Sequence, residues 1–336
     1  MGILNYDFGD FKKGKLNKIT DVSGVMVGHS TIKSDKHKTG VTSIIPNKDT
    51  YNNKLEAGLT VFNGYGKSAG LMQVEELGNI ETPLLLTNTF AVGRVLDCSV
   101  QYMVEHYPDL GTTAGGPNNI VMECNDFRIN YARDISIEKK HVYEAIDTAS
   151  SDFDEGAVGA GTGMVCMGLK GGIGSASRII NIKDREYTLG ALVLSNFGLV
   201  KHLRIEDNFI GKKMYEAFKN QREEKDKGSI IMVIATDIPA DSRQLKRISA
   251  RAAVGLSRVG SYLGHGSGDI ALAFSTTYNA TERISDDDLE NAFIATADCI
   301  EESVISSLFH AETTESYNGR IFYSLKDNLK NLNLSL

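Results

Sequence analysis

Short apolar segments, many rich in β-branched residues and bounded by glycine, recur along the whole chain. Segments of this length and composition predict β-strands rather than helices. They form two groups, which lie on either side of a glycine-rich stretch that begins at 156. The predicted strands are 24–32, 40–46, 58–63, 83–89, 118–124, 174–182, 185–198, 229–237 and 269–277.

Apolar residues recur with helical periodicity in two long segments. In 241–260 they share one face, with arginine and lysine opposite. Ser285 predicts an N-cap before an acidic first turn, and a second apolar stripe then runs from Leu289 to Leu308. Shorter helices are predicted at 68–78, 92–107 and 137–150. Two groups of strands with helices between and after them predict an α/β fold in which helical layers cover sheets.

The composition is that of a folded chain with an acidic balance. Its 336 residues are 41% hydrophobic and 24% charged, which allows one large domain or two, and no boundary is visible in the composition. The net charge of −7 argues against nucleic acid or an anionic membrane as the main partner. The apolar runs fall short of the ~18 residues that a membrane span needs. The first residues contain no apolar core of a secretory signal.

The cysteines indicate a reducing environment. Cys98, Cys124, Cys166 and Cys299 are widely spaced and form no CxxC pair. Four buried or free thiols in a cytoplasmic protein are therefore expected.

Several motifs resemble known sites but lack a required residue. VFNGYGKS (61–68) ends like a phosphate-binding P-loop, yet Val61 stands where that motif needs its first glycine. GAGTGM (159–164) lacks the spacing of a dinucleotide-binding fingerprint. The histidines show no HxH or HxxxH pairing, so no zinc site is predicted. A Ser-His-Asp triad stays open, although no GxSxG elbow marks one.

A Gly-Ser pair stands between a charged segment and a predicted strand. The segment 201–227 is polar, charge-dense and poor in core residues, which predicts a solvated helix and loop. If the bond between Gly228 and Ser229 were broken, Ser229 would own a free α-amino group with an ordinary pKa of about 7.7–8.0. One residue would then carry both a nucleophile and a base. The alternative reading of this stretch is an ordinary strand start.

The wider sequence resembles the DmpA-like family, which includes the L-aminopeptidase/D-Ala-esterase-amidases and the β-peptidyl aminopeptidases. The resemblance covers nearly the whole chain. It is carried by ITDVSGVMVGHSTI, TGVTSIIP, LLLTNTFAVGRVLD, GAVGAGTGMVCMGLKGGIGSASR, GALVLSNFG, GSIIMVIATD and ISARAAVGLSRVGSYLGHGSGDIALAFSTT.

The resemblance implies a four-layer αββα sandwich of the DmpA and ornithine-acetyltransferase type. It also implies that one catalytic domain spanning 1–336 is made as a precursor and cuts itself at a Gly-Ser bond. Gly228–Ser229 would be that bond, which gives chains 1–228 and 229–336, and Ser229 would be the nucleophile. No metal or organic cofactor is implied. The family forms homo-oligomers, commonly of four processed pairs.

Further roles come from the same resemblance. Asn196 in LSNFG would face the oxyanion, an interaction worth roughly 3–4 kcal/mol in comparable sites. In HGSGD, Ser267 would hydrogen-bond near the amine of the nucleophile, and Asp269 would orient that amine. Glu123 in VMECNDF would pair with the free amino group of the substrate. Some relatives carry a tyrosine two residues later, where this chain has Asn125.

The expected activity is release of an N-terminal residue from short peptides, amino-acid amides or esters by a self-processed serine aminopeptidase. Two alternatives remain open. One is an acyltransferase of the ornithine acetyltransferase type, which would use threonine as its nucleophile. The other is an inactive, uncleaved scaffold with the same fold. The natural substrate and the preference among α-, β- and D-residues are not predicted.

Overall fold

The strands and helices form two stacked sheets with helices outside. A computed structural model describes residues 7–217, 227–278, 280 and 282–335. The strands are β1 (Met26–Lys33), β2 (Lys38–Ile45), β3 (Leu55–Gly64), β4 (Asn79–Ile80), β5 (Leu84–Asn88), β6 (Ile120–Cys124), β7 (Val165–Cys166), β8 (Leu169–Lys170), β9 (Gly172–Ile182), β10 (Arg185–Asn196), β11 (Ser229–Thr236), β12 (Gly268–Ser275), β13 (Thr314–Glu315) and β14 (Ile321–Phe322). The α-helices are α1 (Leu71–Leu77), α2 (Val92–His106), α3 (Lys139–Asp147), α4 (Ile210–Ala217), α5 (Ser242–Ser249), α6 (Ala252–Arg258), α7 (Glu290–His310) and α8 (Leu325–Asn331).

The larger sheet holds six strands in the order β4-β3-β12-β11-β10-β9. The central strands β11 and β12 run parallel, and their neighbours on either side run antiparallel to them. All eight residues of β11 are buried, as are all eight of β12. Both faces of these strands are covered, which is why they read as almost continuous apolar runs in the sequence.

The smaller sheet holds four strands in the order β1-β2-β5-β6 and packs face to face on the larger one. The core between the sheets takes alternate residues from both, such as Met122 and Cys124 from β6 and Ile231 and Val233 from β11. This alternation follows the two-residue period of a strand. The residues between them on β11, such as Ile230 and Met232, face the other way into a second core.

Helices cover the outer face of each sheet. The helices α5 and α7 pack on the six-stranded sheet and α6 packs against α7, whereas α2 and α3 pack on the four-stranded sheet. Each helical layer encloses its own apolar cluster. The predicted four-layer αββα sandwich is confirmed. In the part of the chain that the structure describes, no helix is both long enough and apolar enough to cross a membrane.

The strand predictions are confirmed at every predicted segment, but two helix predictions need correction. The segment 241–260 contains two helices, because Arg251 N–H bonds to Ile248 O and so tightens the chain between α5 and α6. The buried face runs through both helices, so periodicity alone does not reveal the break. Ser285 caps a short 3₁₀ turn, Asp286–Asp288, and α7 begins after that turn.

The prediction that 201–227 is solvated and poor in core residues is wrong for its first half. Leu203, Ile205, Ile210 and Met214 are all buried in the core beneath the six-stranded sheet. Charged residues between them conceal this pattern in the composition. Residues 218–226 lie outside the described part of the chain, so the prediction is not tested there.

Candidate active site

The ends of three neighbouring strands meet at one end of the six-stranded sheet, and the predicted nucleophile, Ser229, lies on the middle strand of the three. Ser229 is the first residue of β11 and pairs with Asn196, the last residue of β10. On its other side Ser229 pairs with Gly268, the first residue of β12. Ser229 is 5% exposed and Asn196 is 6% exposed. Backbone pairing alone therefore brings together residues from three distant parts of the sequence.

The backbone at position 228 is packed too tightly for a side chain. A Cβ atom on Gly228 would lie 2.1 Å from Asn196 O and 2.5 Å from Phe197 Cα. Both obstacles belong to the backbone, which cannot rotate aside as a side chain can. The carbonyl oxygen of Gly228 accepts a hydrogen bond from Gly268 N–H at 3.2 Å. This carbonyl is therefore already held by a donor from the neighbouring strand.

Two hydrogen bonds fix the side-chain amide of Asn196. Val165 N–H donates to Asn196 Oδ1 at 2.9 Å, and Asn196 Nδ2 donates to Asn125 O at 3.0 Å. The first contact requires an oxygen at that position of the amide, so the orientation of the group is defined. The contact to Asn125 uses one of the two Nδ2 hydrogens.

The buried Ser267 and Asp269 and the half-buried Asn63 form a polar cluster beside Ser229. Ser267 Oγ donates to Asp269 Oδ1 at 2.6 Å, and both residues are 1% exposed. Asn63 Nδ2 lies 3.4 Å from Asp269 Oδ2 and also donates to Leu263 O and Gly264 O. Asn63 was not predicted from the sequence, although it lies within the P-loop-like segment 61–68. Its partner is 206 residues away along the chain.

The carboxylate of Glu123 is buried and held in place by two donors. Lys67 N–H donates to Oε1 at 2.8 Å, and Thr89 Oγ1 donates to Oε2. Glu123 is 4% exposed. The loop that supplies Lys67 also passes close to the strand end beside Ser229, because a Cβ on Gly268 would lie 2.7 Å from Tyr65 O. Lys67 and Thr89 were not predicted, since no local motif marks a side chain that supports a distant carboxylate.

Cys124 approaches Ser229, the predicted nucleophile, from the opposite sheet. Its thiol donates to Leu194 O at 3.4 Å and also contacts the hydroxyl of Ser229. Burial raises the pKa of this thiol well above its ordinary value. The thiol is therefore neutral near pH 7 and is no rival nucleophile to the serine, because the thiolate is the reactive form. All four cysteines are within the described residues, and none forms a disulfide.

A buried lysine organises the loop that supports Asn196. Lys170 Nζ donates to the carbonyl oxygens of Gly161, Met164 and Gly171 at 3.0, 3.0 and 2.6 Å. Burial lowers the pKa of Lys170 to about 7. Three acceptors match the three N–H groups of an ammonium ion. The loop between these carbonyls contains Val165, the donor to Asn196 Oδ1. Lys170 was not predicted from the sequence, and its place within the glycine-rich stretch is the one signal that marks it.

One cluster of serine, histidine and carboxylate does not have the geometry of a triad. Ser306 Oγ lies 2.5 Å from Glu155 Oε2 and 3.0 Å from His310 Nδ1. Glu155 Oε1 is 4.0 Å from the same nitrogen, Nδ1. In a triad the serine and the carboxylate bind opposite nitrogens of the ring. Among the described residues, no group of His, Cys, Asp or Glu side chains could hold a metal ion.

Asn125 lines a pocket beside the strand ends. The pocket has a volume of about 410 Å³ and is also lined by Asn196 and Gly228. Asn125 contacts Asn196 through its backbone carbonyl, whereas its side-chain Oδ1 accepts from Phe127 N–H at 3.3 Å. The site thus gathers all the residues predicted from the sequence into one region, with Glu123 behind the Tyr65–Lys67 loop.

An αββα sandwich with a serine as the first residue of a central strand is the arrangement of N-terminal-nucleophile serine hydrolases. The family model of peptidase family S58 matches residues 17–322. The chain belongs to peptidase family S58 and is a peptide hydrolase.

Named relatives agree with this assignment. A β-peptidyl aminopeptidase, BapA, from Sphingosinicella microcystinivorans is 35% identical, over 92% of this chain and 85% of the relative. The crystal structure of the PH0078 protein from Pyrococcus horikoshii OT3 has a TM-score of 0.91 at 44% identity, covering 98% of this chain and 97% of that one. The L-aminopeptidase D-Ala-esterase/amidase from Ochrobactrum anthropi, described as a variant of the Ntn hydrolase fold, has a TM-score of 0.87 at 30% identity, covering 96% and 95%.

The buried carboxyl group of Asp126 predicts a pH-dependent stability. Burial raises its pKa from 3.8 to about 7, while hydrogen bonds from Thr39 and Asn130 oppose this shift. The folded state therefore binds the proton more tightly than the unfolded state, and the stability that this provides is lost as the pH rises through 7. We compare the unfolding free energy of Asp126→Asn with that of the parent chain. We expect this difference, variant minus parent, to increase by about 2–3 kcal/mol as the pH is raised from 5 to 8.

Chemical denaturation in a Ser229→Ala background, which removes the predicted nucleophile, measures this difference. Asp184→Asn, at an exposed position in the turn between β9 and β10, is the matched control and should show no such trend. If the difference in unfolding free energy between Asp126→Asn and its parent stays constant with pH, Asp126 does not have a raised pKa in the folded chain.

Proposed function

We propose that the chain cuts its own Gly228–Ser229 bond and that the new N-terminal serine makes it an aminopeptidase. The observation that carries the proposal is the position of Ser229, the first residue of β11, between Asn196 and Gly268. In the first step, Ser229 Oγ attacks the Gly228 carbonyl carbon. The C–N bond between Gly228 and Ser229 then breaks as the nitrogen takes the proton from the hydroxyl, which leaves Gly228 joined to Ser229 Oγ as an ester. Water then hydrolyses the ester, which gives a carboxylate at Gly228 and a free amine at Ser229.

The surroundings of the scissile carbonyl suit this self-cleavage. Attack places negative charge on the Gly228 oxygen, which Gly268 N–H already contacts at 3.2 Å. The second N–H of the Asn196 amide is the further donor in our proposal. Donors that are held in place before the charge develops stabilise a transition state with little reorganisation. A glycine at 228 is needed because a Cβ there would meet the backbone of Asn196.

After cleavage the amine of Ser229 acts as the base for its own hydroxyl. An α-amino group with an ordinary pKa of about 7.7–8.0 exchanges protons readily near neutral pH. Ser267 and Asp269 would orient this amine, as the third member of a triad orients its base. Their hydrogen bond of 2.6 Å and the contact from Asn63 hold the carboxylate in one rotamer. Asn196 then stabilises the oxyanion of each substrate in turn.

Glu123 selects substrates that have a free amino terminus. Each of its oxygens accepts one donor from the protein, and a carboxylate oxygen can accept a second. A substrate ammonium group would complete this set with a charge-assisted hydrogen bond. Because the substrate peptide must begin at that ammonium group, the enzyme would release N-terminal residues rather than cut within a polypeptide. The relatives named β-peptidyl aminopeptidase and L-aminopeptidase support the same substrate class.

The alternatives receive less support. An acyltransferase of the ornithine acetyltransferase type would carry threonine at the nucleophile position, which is Ser229 here. An uncleaved scaffold would need no close-packed glycine before that serine.

We also propose a cytoplasmic location and a homo-oligomer of processed pairs. The absence of disulfides among the described cysteines supports the first, and the exposed apolar side chains of Tyr65, Met72 and Leu77 support the second.

Self-cleavage predicts two chains from one gene product. Purified wild type should give fragments 1–228 and 229–336 by denaturing gel and intact mass. Ser229→Ala should stay as one chain, because no hydroxyl attacks. Gly228→Ala should cleave at least about tenfold more slowly, because its Cβ forces the scissile carbonyl away from Gly268 N–H. Gly116→Ala, where a Cβ has no neighbour within 4 Å, is the control. A single intact mass for active wild type would exclude the mechanism.

Glu123→Gln tests recognition of the amino terminus. Loss of the charge should lower kcat/KM for an aminoacyl p-nitroanilide by about 10- to 100-fold, mainly through KM. The variant should still cleave itself, which a gel reports, because self-cleavage involves no free amino group. Glu76→Gln, on the exposed face of α1, should behave as wild type. Unchanged kinetics in Glu123→Gln would remove Glu123 from the substrate site.

A further inference from the structure

The peptide unit between Met164 and Val165 is held at both ends. Its oxygen, Met164 O, accepts hydrogen bonds from Lys170 Nζ at 3.0 Å and from Gly171 N–H at 2.9 Å. Its hydrogen, on Val165 N, is donated to Asn196 Oδ1 at 2.9 Å. The C=O and N–H groups of a trans peptide point in opposite directions within one plane. This peptide therefore lies between the ammonium group of Lys170 and the side-chain amide of Asn196.

A second contact of the same kind reaches the residue before Asn196. Lys170 Nζ donates to Gly171 O at 2.6 Å, and the N–H of the same peptide unit, on Gly172, donates to Ser195 Oγ at 3.3 Å. Ser195 is fully buried and is the penultimate residue of β10. Lys170 therefore reaches the last two residues of β10 through two separate peptide units.

A charge at this depth acts on more than the atoms that it contacts. Lys170 is fully buried, and removing an ammonium group from water is costly. A residue that only filled space under the loop would need no charge. Inside a protein, hydrogen bonds in a chain polarise one another. A cation at Met164 O makes Val165 N–H a stronger donor, and that donor in turn makes the Nδ2 hydrogens of Asn196 stronger donors.

We propose that Lys170 is a positioning residue for the oxyanion site, which acts through the Met164–Val165 peptide to orient and polarise the side-chain amide of Asn196. This inference rests on the proposed aminopeptidase function, in which Asn196 donates to the oxyanion. Because the oxyanion develops only on the way to the transition state, a better donor raises kcat rather than substrate affinity. The same chain of hydrogen bonds would serve self-cleavage, where the charge develops on the Gly228 oxygen.

Lys170→Met tests this role, because methionine keeps an unbranched apolar chain but removes the charge and the donors. We expect self-cleavage, followed on a gel after a pulse of cell-free synthesis, to slow by about 10- to 100-fold. For the processed enzyme, kcat for alanine p-nitroanilide should fall by a similar factor, while KM stays within about threefold of wild type. Lys212→Met, at an exposed position on α4, is the control and should match wild type.

The outcomes distinguish this inference from the function on which it rests. If wild type cleaves itself and hydrolyses alanine p-nitroanilide, and Lys170→Met does both equally fast, the inference is wrong and the function stands. If wild type does neither, the proposed function fails and the inference fails with it.

A double-mutant cycle separates positioning from a general loss of structure. In Asn196→Ala the chain of hydrogen bonds has lost its last member. Adding Lys170→Met to that variant should therefore slow self-cleavage by less than about threefold more. If Lys170→Met slows the Asn196→Ala chain by as large a factor as it slows wild type, Lys170 acts independently of Asn196 and the inference is overturned.

A second pair of variants tests the link and leaves Lys170 in place. Val165→Pro removes the N–H that reaches Asn196. Met164, with φ −84° and ψ 147°, already has the backbone conformation that precedes a proline. We expect kcat of Val165→Pro to fall by about 10- to 100-fold, and Val165→Ala, which keeps the N–H, to stay within about threefold of wild type. Wild-type kcat in Val165→Pro would refute the inference even if Lys170→Met does not fold.

Discussion

The register of three adjacent strand ends is the constraint on which the site depends. Ser229 lies opposite Asn196 on one side and opposite Gly268 on the other, and both pairings come from continuous ladders of backbone hydrogen bonds. Strand residues alternate between faces, so a slip of one residue would turn the Ser229 side chain from the space between the sheets into the helical layer. Alternate apolar residues of β11 pack into two different cores, one between the sheets and one beneath the helices. A slip of one residue would move each of them into the wrong core, so their packing opposes the slip. The core therefore determines the direction in which the Ser229 side chain points.

Local sequence features were sufficient to predict the strands, whereas the assignment of Ser229 as the nucleophile came from the resemblance to the DmpA-like family and stays a prediction. The apolar run after Gly228 predicts β11, and its first residue is the serine. The supporting residues were beyond this reasoning. Asn63 reaches Asp269 across 206 residues, and Thr89 reaches Glu123 across 34. Such contacts depend on which strands become neighbours, and neither composition nor periodicity records that order.

Two of the corrected predictions, for 201–227 and 241–260, have a common physical cause. In 201–227 the charged residues dominate the composition, yet Ile210 and Met214 are buried because an amphipathic helix needs only a few apolar positions on one face. In 241–260 the apolar face is continuous, yet the hydrogen bonds change at Arg251. Averages over a segment report how much of it is apolar. They do not report which residues face the core or how the backbone bonds between them.

Under the proposed mechanism, the tight packing at Gly228 distinguishes self-cleavage from catalysis on substrates. In the unbroken chain, the acyl group that Ser229 would attack belongs to a glycine with no room for a Cβ. A substrate residue that carries a side chain therefore cannot follow the path of Gly228. Its side chain has to turn away from the backbone of Asn196, toward the pocket or toward Glu123. Under the proposed mechanism, departure of the Gly228 carboxylate frees this space, so the first turnover, on the enzyme itself, opens the site for later ones. The same packing that suits the chain to one internal cut would then also shape its choice of substrate.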